Sequence, residues 1–171
     1  MKKIIILIIL ILPILTKAQS NPFEKLEYNK VVAYEYQGEG GLLIQRCLKN
    51  KKEKINKSLV LTETQTTKLE KILTSENGYG NTIMSCFDPH LGIVYYHNED
   101  IVATINICLD CNYLISSEDI PATELKMIKV SDDYSYPAKG FSKSTRKEIY
   151  NYIKSLGFEN YLKPLTSYLD Q

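Results

Sequence analysis

The clearest pattern of apolar and polar positions lies in the middle of the chain. Two apolar runs, Leu91–Tyr96 and Ile101–Cys108, flank the short polar stretch His97–Asp100. Runs of this length around a short polar break are typical of a β-hairpin, so we predict antiparallel strands at about 91–97 and 101–108. In an antiparallel hairpin, the numbers of paired residues have a constant sum that defines the register. A three-residue loop, Asn98–Asp100, makes this sum 198, and a loop that differs by one residue makes it 197.

The two faces of this hairpin differ in polarity. Side chains alternate along a strand, so the register that sums to 198 separates odd from even positions. The odd face is apolar almost throughout and is predicted to face the core: Leu91, Ile93, Tyr95, Ile101, Ala103, Ile105 and Ile107. The even face is mixed, and it places His90 opposite Cys108, away from the main core. In the 197 register, Cys86 lies opposite Cys111 instead.

Two helices are predicted from their start signals and their apolar stripes. Thr62 and Gln65 have the spacing of a capping box, and apolar residues follow at helical spacing, which predicts a helix at about 63–73. Ser142 is a good N-terminal cap for a second helix at about 143–156. We expect the first of these helices to pack across the apolar face of the sheet.

The remaining segments indicate an α+β fold with a small antiparallel sheet around the central hairpin. Residues 30–37 are rich in β-branched and aromatic side chains and are predicted to form a strand. Residues 42–48 are interpreted as a second strand and 125–130 as a short one, whereas 131–140 is interpreted as a loop. No sustained periodicity appears at 112–117. Strands and helices do not alternate as βαβ units, which favours α+β.

The first 18 residues predict an exported protein. Met1–Lys3 is positively charged, Ile4–Leu15 is about a dozen apolar residues long, and Ala18 is a small residue at the boundary. This order is typical of a secretory signal peptide, and the apolar part is shorter than the roughly 20 residues of a membrane span. We therefore predict a signal peptide at 1–18 and a single α+β domain at 19–171, either periplasmic or secreted.

The composition of the mature chain excludes some partners. Cleavage after Ala18 removes three lysines and no acidic residue, which leaves 18 basic and 20 acidic side chains on 153 residues. A chain so close to neutral gives no reason to expect nucleic acid as a partner. Once the apolar leader is removed, we expect no stable membrane insertion. A chain of this length can bury a core of its own.

Three of the four cysteines and one histidine converge at the open end of the predicted hairpin: Cys86, His90, Cys108 and Cys111. One interpretation of this cluster is a metal site with these four residues as ligands and zinc as the candidate cofactor. Three thiols and an imidazole suit tetrahedral Zn²⁺, and a C-x2-C pair supplies two sulfur ligands from one turn.

Two other interpretations of the cysteines stay open. Exported thiols are commonly oxidised, and disulfide bonding among Cys47, Cys86, Cys108 and Cys111 allows three complete connectivities. A Cys86–Cys111 bridge closes about 25 residues and would stabilise the fold by roughly 3 kcal/mol. The third interpretation is thiol redox chemistry at Cys108 and Cys111. Against it, the residues after Cys111 are not clearly helical, and the carboxylate of Asp110 disfavours a thiolate.

The segment Cys86–Gly92 reads C-F-D-P-H-L-G, and the C-x-x-C pair Cys108–Cys111 follows the hairpin. Together with a late helix that opens at Gly140–Ser142, this pattern resembles an uncharacterised group of small bacterial exported proteins that share C-[FY]-x-P-[RH]-x-G, a hairpin and then C-x-x-C. The resemblance covers roughly residues 60–157. It implies export and this hairpin, and it brings no assigned activity. Many members have arginine where this chain has His90.

The sequence assigns no catalytic residue and no binding site for an organic cofactor. We expect a non-enzymatic binding or structural domain in which the Cys/His cluster holds the base of the hairpin and a surface contacts an unknown protein or envelope partner. The alternative is a thiol-redox or zinc-dependent activity centred on the C-x-x-C motif.

Overall fold

A five-stranded antiparallel sheet forms the centre of the structure. The computed structural model describes residues 21–129, 131 and 135–170. The strands of this sheet are β1 Lys30–Tyr36, β2 Ile55–Val60, β4 Leu91–His97, β5 Asp100–Cys108 and β6 Tyr113–Ser116. Their spatial order is β2-β1-β4-β5-β6. Two small antiparallel ribbons accompany the sheet: β3 Tyr79–Asn81 with β9 Gly140–Phe141, and β7 Lys126–Lys129 with β8 Ser135–Ala138.

Three α-helices accompany the sheet: α1 Ile44–Asn50, α2 Glu63–Leu73 and α3 Lys143–Ser155. This combination confirms the α+β class. No helix within the described part of the chain is long and apolar enough to cross a membrane. The predicted signal peptide at 1–18 lies outside the described residues.

The hairpin of β4 and β5 has the register that sums to 198 over most of its length. Ile93 pairs with Ile105, as that register requires. An irregularity between Tyr95 and Tyr96 then shifts the register by one residue, and the strands are joined by the two-residue turn Asn98–Glu99. The first residue of this turn has a φ of 58°, which asparagine tolerates better than most residues. One residue of β5 is left unpaired at this irregularity and is therefore not part of the loop. The prediction of a three-residue loop was wrong for this reason.

The odd face of the hairpin is buried as predicted, with one exception. Leu91, Ile93 and Ile105 belong to the main core, together with apolar residues of α2 and α3. Ile101 is 43% exposed, because it lies beyond the register shift, next to the turn at the tip of the hairpin. The prediction that Ile101 belongs to the core was therefore wrong.

Both predicted helices are confirmed on the apolar face of the sheet. Helix α2 spans the predicted residues and begins with a capping box between Thr62 and Gln65, which satisfies free amides at its start. Helix α3 begins after Ser142, whose hydroxyl accepts from the amide of Thr145, and ends one residue earlier than predicted. The caps set the starts of both helices, and the buried stripes hold them on the sheet.

Residues 42–48 form no strand, which corrects the prediction of a second strand there. Most of this segment belongs to α1, because its apolar side chains Ile44 and Cys47 have helical spacing and are both buried. Helix α1 lies on the opposite face of the sheet from α2, in a small cluster with Tyr36 and Val94. A Cβ atom at Gly92 would lie 2.6 Å from the Cβ of Ile44, so only glycine lets α1 approach β4 this closely.

One buried amide side chain ties α1 to the sheet. The Oδ1 atom of Asn106 on β5 accepts from the Ile44 amide at 2.7 Å and from the Tyr36 hydroxyl at 2.9 Å. Asn106 is almost fully buried, so these two donors replace the water that its carbonyl oxygen gives up.

Other differences from the prediction concern short edge segments. Strand β2, not 42–48, lies beside β1. The predicted short strand at 125–130 is confirmed as β7, but 131–140 is not a loop throughout, because Ser135–Ala138 pairs with β7 as β8. Strand β6 extends the central sheet at 113–116, where no strand was predicted. Strands of two to four residues are too short to show a clear alternation of apolar and polar positions.

Candidate functional site

The C-x-x-C pair lies where β5 ends and turns into β6. Cys108 is the last residue of β5, and Cys111 lies in the turn that follows. The amide of Asn112 donates to the Leu109 carbonyl at 3.2 Å and closes this turn, with a φ of 64° at Asn112. The amide of Cys111 donates to the Sγ atom of Cys108 at 3.1 Å. The turn therefore brings the two sulfur atoms to the same side of the backbone.

Cys86 reaches this turn from the segment that precedes β4. Its thiol lies close to the thiol of Cys111, which is also close to the thiol of Cys108. The amide of Asp88 donates to the Sγ atom of Cys111 at 3.4 Å, and the amide of Met84 donates to the Cys111 carbonyl at 3.0 Å. The structure thus brings three of the four predicted site residues together, with Cys111 in the middle. All of the cysteines are free thiols.

His90, the fourth predicted ligand, makes its contacts elsewhere. Its Nδ1 atom lies 3.2 Å from the Tyr36 carbonyl oxygen, and its ring stacks on Tyr161 with 4.6 Å between the centroids. A carbonyl oxygen only accepts, so Nδ1 carries the proton. Among the residues that the structure describes, no group of three or more His, Cys, Asp or Glu side chains is arranged to hold a metal ion. Zinc ligation by Cys86, His90, Cys108 and Cys111 stays a prediction.

Cys47 lies on helix α1, on the opposite face of the sheet from the main core. It is buried, and its thiol donates to the Lys51 carbonyl at 3.1 Å. The sequence interpretation included Cys47 among the candidates for disulfide bonding. In the structure its thiol caps the end of its own helix.

The thiols of the cluster are poor nucleophiles at neutral pH. Burial and the hydrogen bond to Cys111 raise the pKa of Cys86 to about 11. Burial, followed by the hydrogen bond to Cys108, raises the pKa of Cys111 to about 11, and burial also raises the pKa of Cys108. A catalytic C-x-x-C pair needs a lowered thiol pKa. The electrostatics therefore argue against the redox interpretation.

A cavity of about 510 Å³ lies beside the C-x-x-C turn, and the sequence did not predict it. The ends of β4 and β5 supply Leu91 and Ile107 to its wall, and α3 supplies Ile153. The C-terminal segment 158–170 covers the remaining side with several apolar residues, among them Phe158. No regular pattern of apolar positions marks this segment, because only its last residues form a short helical turn.

Arg146 joins the cavity to the C-x-x-C turn. It is 3% exposed, its Nε atom donates to the Oδ1 atom of Asp170 at 2.8 Å, and its Nη1 atom donates to the Oδ1 atom of Asn112 at 3.0 Å and to the Leu109 carbonyl. One guanidinium group thus binds the C-terminal segment and the turn to α3. The sequence carries a signal for this role, since Arg146 and Ile149 are three residues apart on the same helical stripe.

The carboxylate of Asp170 is held in its charged form. Burial alone would raise its pKa, but hydrogen bonds from Arg146 and Ser167, with the charge of Arg146, outweigh burial and lower the pKa below its ordinary value. Arg146 and Asp170 therefore form a buried ion pair in which the charged form of Asp170 is favoured.

A second buried carboxylate lies at the wall of the cavity on β1. Glu35 accepts hydrogen bonds from the amide of Asn160 at 2.7 Å, from its side chain at 2.6 Å, and from the Asn56 side chain at 2.5 Å. At the rim, the ammonium group of Lys163 forms an ion pair with Asp110 inside the C-x-x-C motif. The charges of the cavity wall are thus engaged with protein groups.

Comparisons with protein-family models, with curated proteins and with solved structures found no match. The resemblance to a group of small exported proteins therefore stays a prediction that rests on Cys86–Gly92 and Cys108–Cys111.

Proposed function

We propose that this protein is an exported, non-enzymatic binding domain that holds a small molecule in the cavity beside the C-x-x-C turn. The ligand has an apolar body and one hydrogen-bond donor, such as a hydroxyl or amine group. The cavity of about 510 Å³ is the observation that carries this proposal, because binding sites for small molecules have about 300–1,000 Å³ and mainly apolar walls.

The apolar wall accounts for the body of the ligand. Leu91 and Ile107 belong to the buried core, so one wall of the cavity is a rigid part of the sheet. Ile153 and Phe158 form part of the opposite wall and are also buried. An apolar ligand would remove further apolar surface from water, at about 25 cal/mol for each Å².

His90 accounts for the polar group of the ligand. Its protonated Nδ1 atom donates to the Tyr36 carbonyl, so in the neutral ring the Nε2 atom is an acceptor. Stacking on Tyr161 fixes the orientation of the ring at the cavity wall. Among the described residues, Nε2 has no hydrogen-bond partner. A ligand donor is the group that it would bind.

The charges at the cavity favour binding over catalysis. Each charged side chain described in its wall is engaged with another protein group: Arg146 with Asp170, Lys163 with Asp110, and Glu35 with two asparagines. In the buried pair Arg146–Asp170, using one charge as a general acid or base would leave the other buried and unpaired.

The test uses 1-octanol and octyl methyl ether as matched probes, because only the alcohol carries a donor. The probes are titrated into isotopically labelled protein, and amide chemical shifts are followed by NMR. We expect 1-octanol to shift the amides of Leu91, Ile107 and Ile153 at lower concentrations than the ether does. In the variant His90→Phe, which keeps an aromatic ring on Tyr161, the two probes should bind equally.

A cavity-filling variant and a matched control test the location of this site. Ile153→Trp should abolish the shifts, whereas Ile101→Trp at the exposed hairpin tip should leave them unchanged. Circular dichroism establishes that both variants are folded. Octanol shifts that persist in Ile153→Trp, or their absence in the wild type up to the solubility limit of the probe, would refute the proposal.

A second candidate function is the thiol-redox or zinc-dependent activity centred on the C-x-x-C motif. The closeness of the thiols of Cys86, Cys108 and Cys111 supports it, whereas their raised pKa values oppose the redox form. The zinc form needs a change in the arrangement of these side chains, because no group of three or more ligands in the described residues is placed to hold a metal ion. Counting zinc and free thiols on the purified protein tests it. One zinc per chain supports a zinc site, and a reducible pair with a low thiol pKa supports redox activity.

A further inference from the structure

The three thiols of the hairpin base differ in how an oxidant could reach them. Cys86 is exposed, whereas Cys108 is 1% and Cys111 is 0% exposed. Cys47 is buried as well, on the other face of the sheet. A soluble oxidant can therefore attack this protein first at Cys86.

Cys111 is the thiol placed to complete the reaction. Its thiol lies close to those of Cys86 and Cys108. The amide of Asp88, two residues after Cys86, donates to the Cys111 sulfur at 3.4 Å, and the Cys111 amide donates to the Cys108 sulfur at 3.1 Å. The backbone already holds the two segments together, because the Met84 amide donates to the Cys111 carbonyl at 3.0 Å and the Tyr113 hydroxyl donates to the Cys86 carbonyl at 3.0 Å. These contacts hold together the two segments that a bond between Cys86 and Cys111 would join.

We propose that Cys86 and Cys111 form a disulfide bond when the protein meets a small disulfide such as oxidised glutathione, and that Cys108 stays a buried thiol beneath it. This bond joins the segment before β4 to the turn after β5 and closes the hairpin at its base. The inference does not depend on ligand binding in the cavity.

The reaction consists of two thiol–disulfide exchanges. Only the thiolate form of Cys86 reacts, and the raised pKa of this thiol makes that form scarce at neutral pH, so the exchange is slow there and speeds up as the pH rises. This thiolate attacks one sulfur of the small disulfide, a mixed disulfide forms, and one glutathione thiolate leaves. The thiolate of Cys111 then attacks the Cys86 sulfur and displaces the second glutathione thiolate. The two cysteine thiols lose two electrons and two protons in total, and the small disulfide becomes two thiols.

The exposure of Cys86 distinguishes this pairing from a bond within the C-x-x-C motif. The amide of Cys111 donates to the Cys108 sulfur, so Cys108 and Cys111 are also close enough to react. Both of these thiols are buried, and neither can form the first mixed disulfide without local opening. Cys108–Cys111 is therefore the competing product of the test.

The experiment incubates the reduced chain with oxidised glutathione, blocks the remaining thiols with iodoacetamide and maps disulfide-linked peptides by mass spectrometry. We expect the Cys86–Cys111 linkage, with Cys108 and Cys47 alkylated only after unfolding. The variant Cys111→Ser should stop at a glutathione adduct on Cys86. The variant Cys86→Ser should give neither the adduct nor a disulfide, and Cys47→Ser should behave as the wild type does.

The wild-type peptide map alone decides the proposal if a variant fails to fold. A Cys108–Cys111 linkage, a first adduct on Cys108, or no disulfide at equilibrium would each overturn it. As an independent readout, oxidation should raise the Tm of the wild type by about 6–12 °C, because the bond closes a long loop. The Tm of Cys86→Ser should not change on oxidation.

Discussion

Replacing Arg146 with methionine tests whether one guanidinium group holds together three parts of the fold. Methionine keeps most of the apolar stem but removes the donors that bind Asp170, Asn112 and the Leu109 carbonyl. Arg146 is 3% exposed, and the side chain of Asp170 is 8% exposed, so water cannot readily take over these contacts. Asp170 would be left as a buried charge without its partner.

The expected loss follows from the cost of an unpaired buried charge. Removing one partner of a buried ion pair lowers the free energy of unfolding by about 3–5 kcal/mol. Whole domains have about 5–15 kcal/mol in total, so the variant would be marginally stable. With a urea m value of about 2 kcal/mol/M, the midpoint of unfolding would fall by about 1.5–2.5 M.

The assay is urea unfolding followed by circular dichroism, with two controls. Arg46→Met removes an exposed arginine from α1 and should change the free energy of unfolding by less than about 0.5 kcal/mol. The double variant Arg146→Met/Asp170→Asn leaves no charge at this buried pair and should be more stable than Arg146→Met alone. A loss below about 1 kcal/mol in Arg146→Met, or strictly additive effects in the double variant, would refute this reasoning.

Three further predictions concern the other contacts that position the site. Asn106→Leu removes the acceptor of the Ile44 amide and should lower the free energy of unfolding by about 1–3 kcal/mol, measured in urea. Gly92→Ala places a Cβ atom against Ile44 and should lower it by about 1–3 kcal/mol, with partial rescue by Ile44→Ala. Because Arg146 lowers the pKa of Asp170, this carboxylate stabilises the fold above its ordinary pKa of 3.8, and that contribution should disappear as pH falls below about 4. The stability of Asp170→Asn, measured from pH 2 to 7, should therefore change less with pH.

Each of these expectations has a distinct contrary result. A stable Asn106→Leu protein would mean that the Ile44 amide finds another acceptor. Strictly additive losses in Gly92→Ala and Ile44→Ala would mean that the new methyl group does not collide with the Cγ atoms of Ile44. Equal pH profiles for the wild type and Asp170→Asn would mean that Arg146 does not favour the charged form of residue 170.

The parts of the fold that could be predicted from the sequence are those determined by local signals. The capping box at Thr62 and the cap at Ser142 locate α2 and α3, and the odd face of the hairpin locates the core. Helix α1 was missed, because a seven-residue apolar run fits a strand and a helix equally well. Its packing on the sheet depends on a close approach to Gly92, which lies far away in the sequence.

The candidate site depended more on tertiary contacts than on motifs. The hairpin register in the sequence predicted that Cys86, Cys108 and Cys111 lie near one another, and the structure places them close together. The position of the His90 ring depends on Tyr161, a residue of the C-terminal segment whose path no periodicity indicates. The cavity was missed for the same reason, because that segment forms one of its walls.

The position of β1 in the sheet has a consequence for the order in which the molecule assembles. This strand comes first among the strands along the chain, yet it lies between β2 and β4. As residues emerge from the ribosome, β1 gains its second neighbour only after residues 91–97 have appeared, some sixty positions later. The β4–β5 hairpin can meanwhile close on itself through a two-residue turn. Strands made later are thus able to provide the template on which the first one docks.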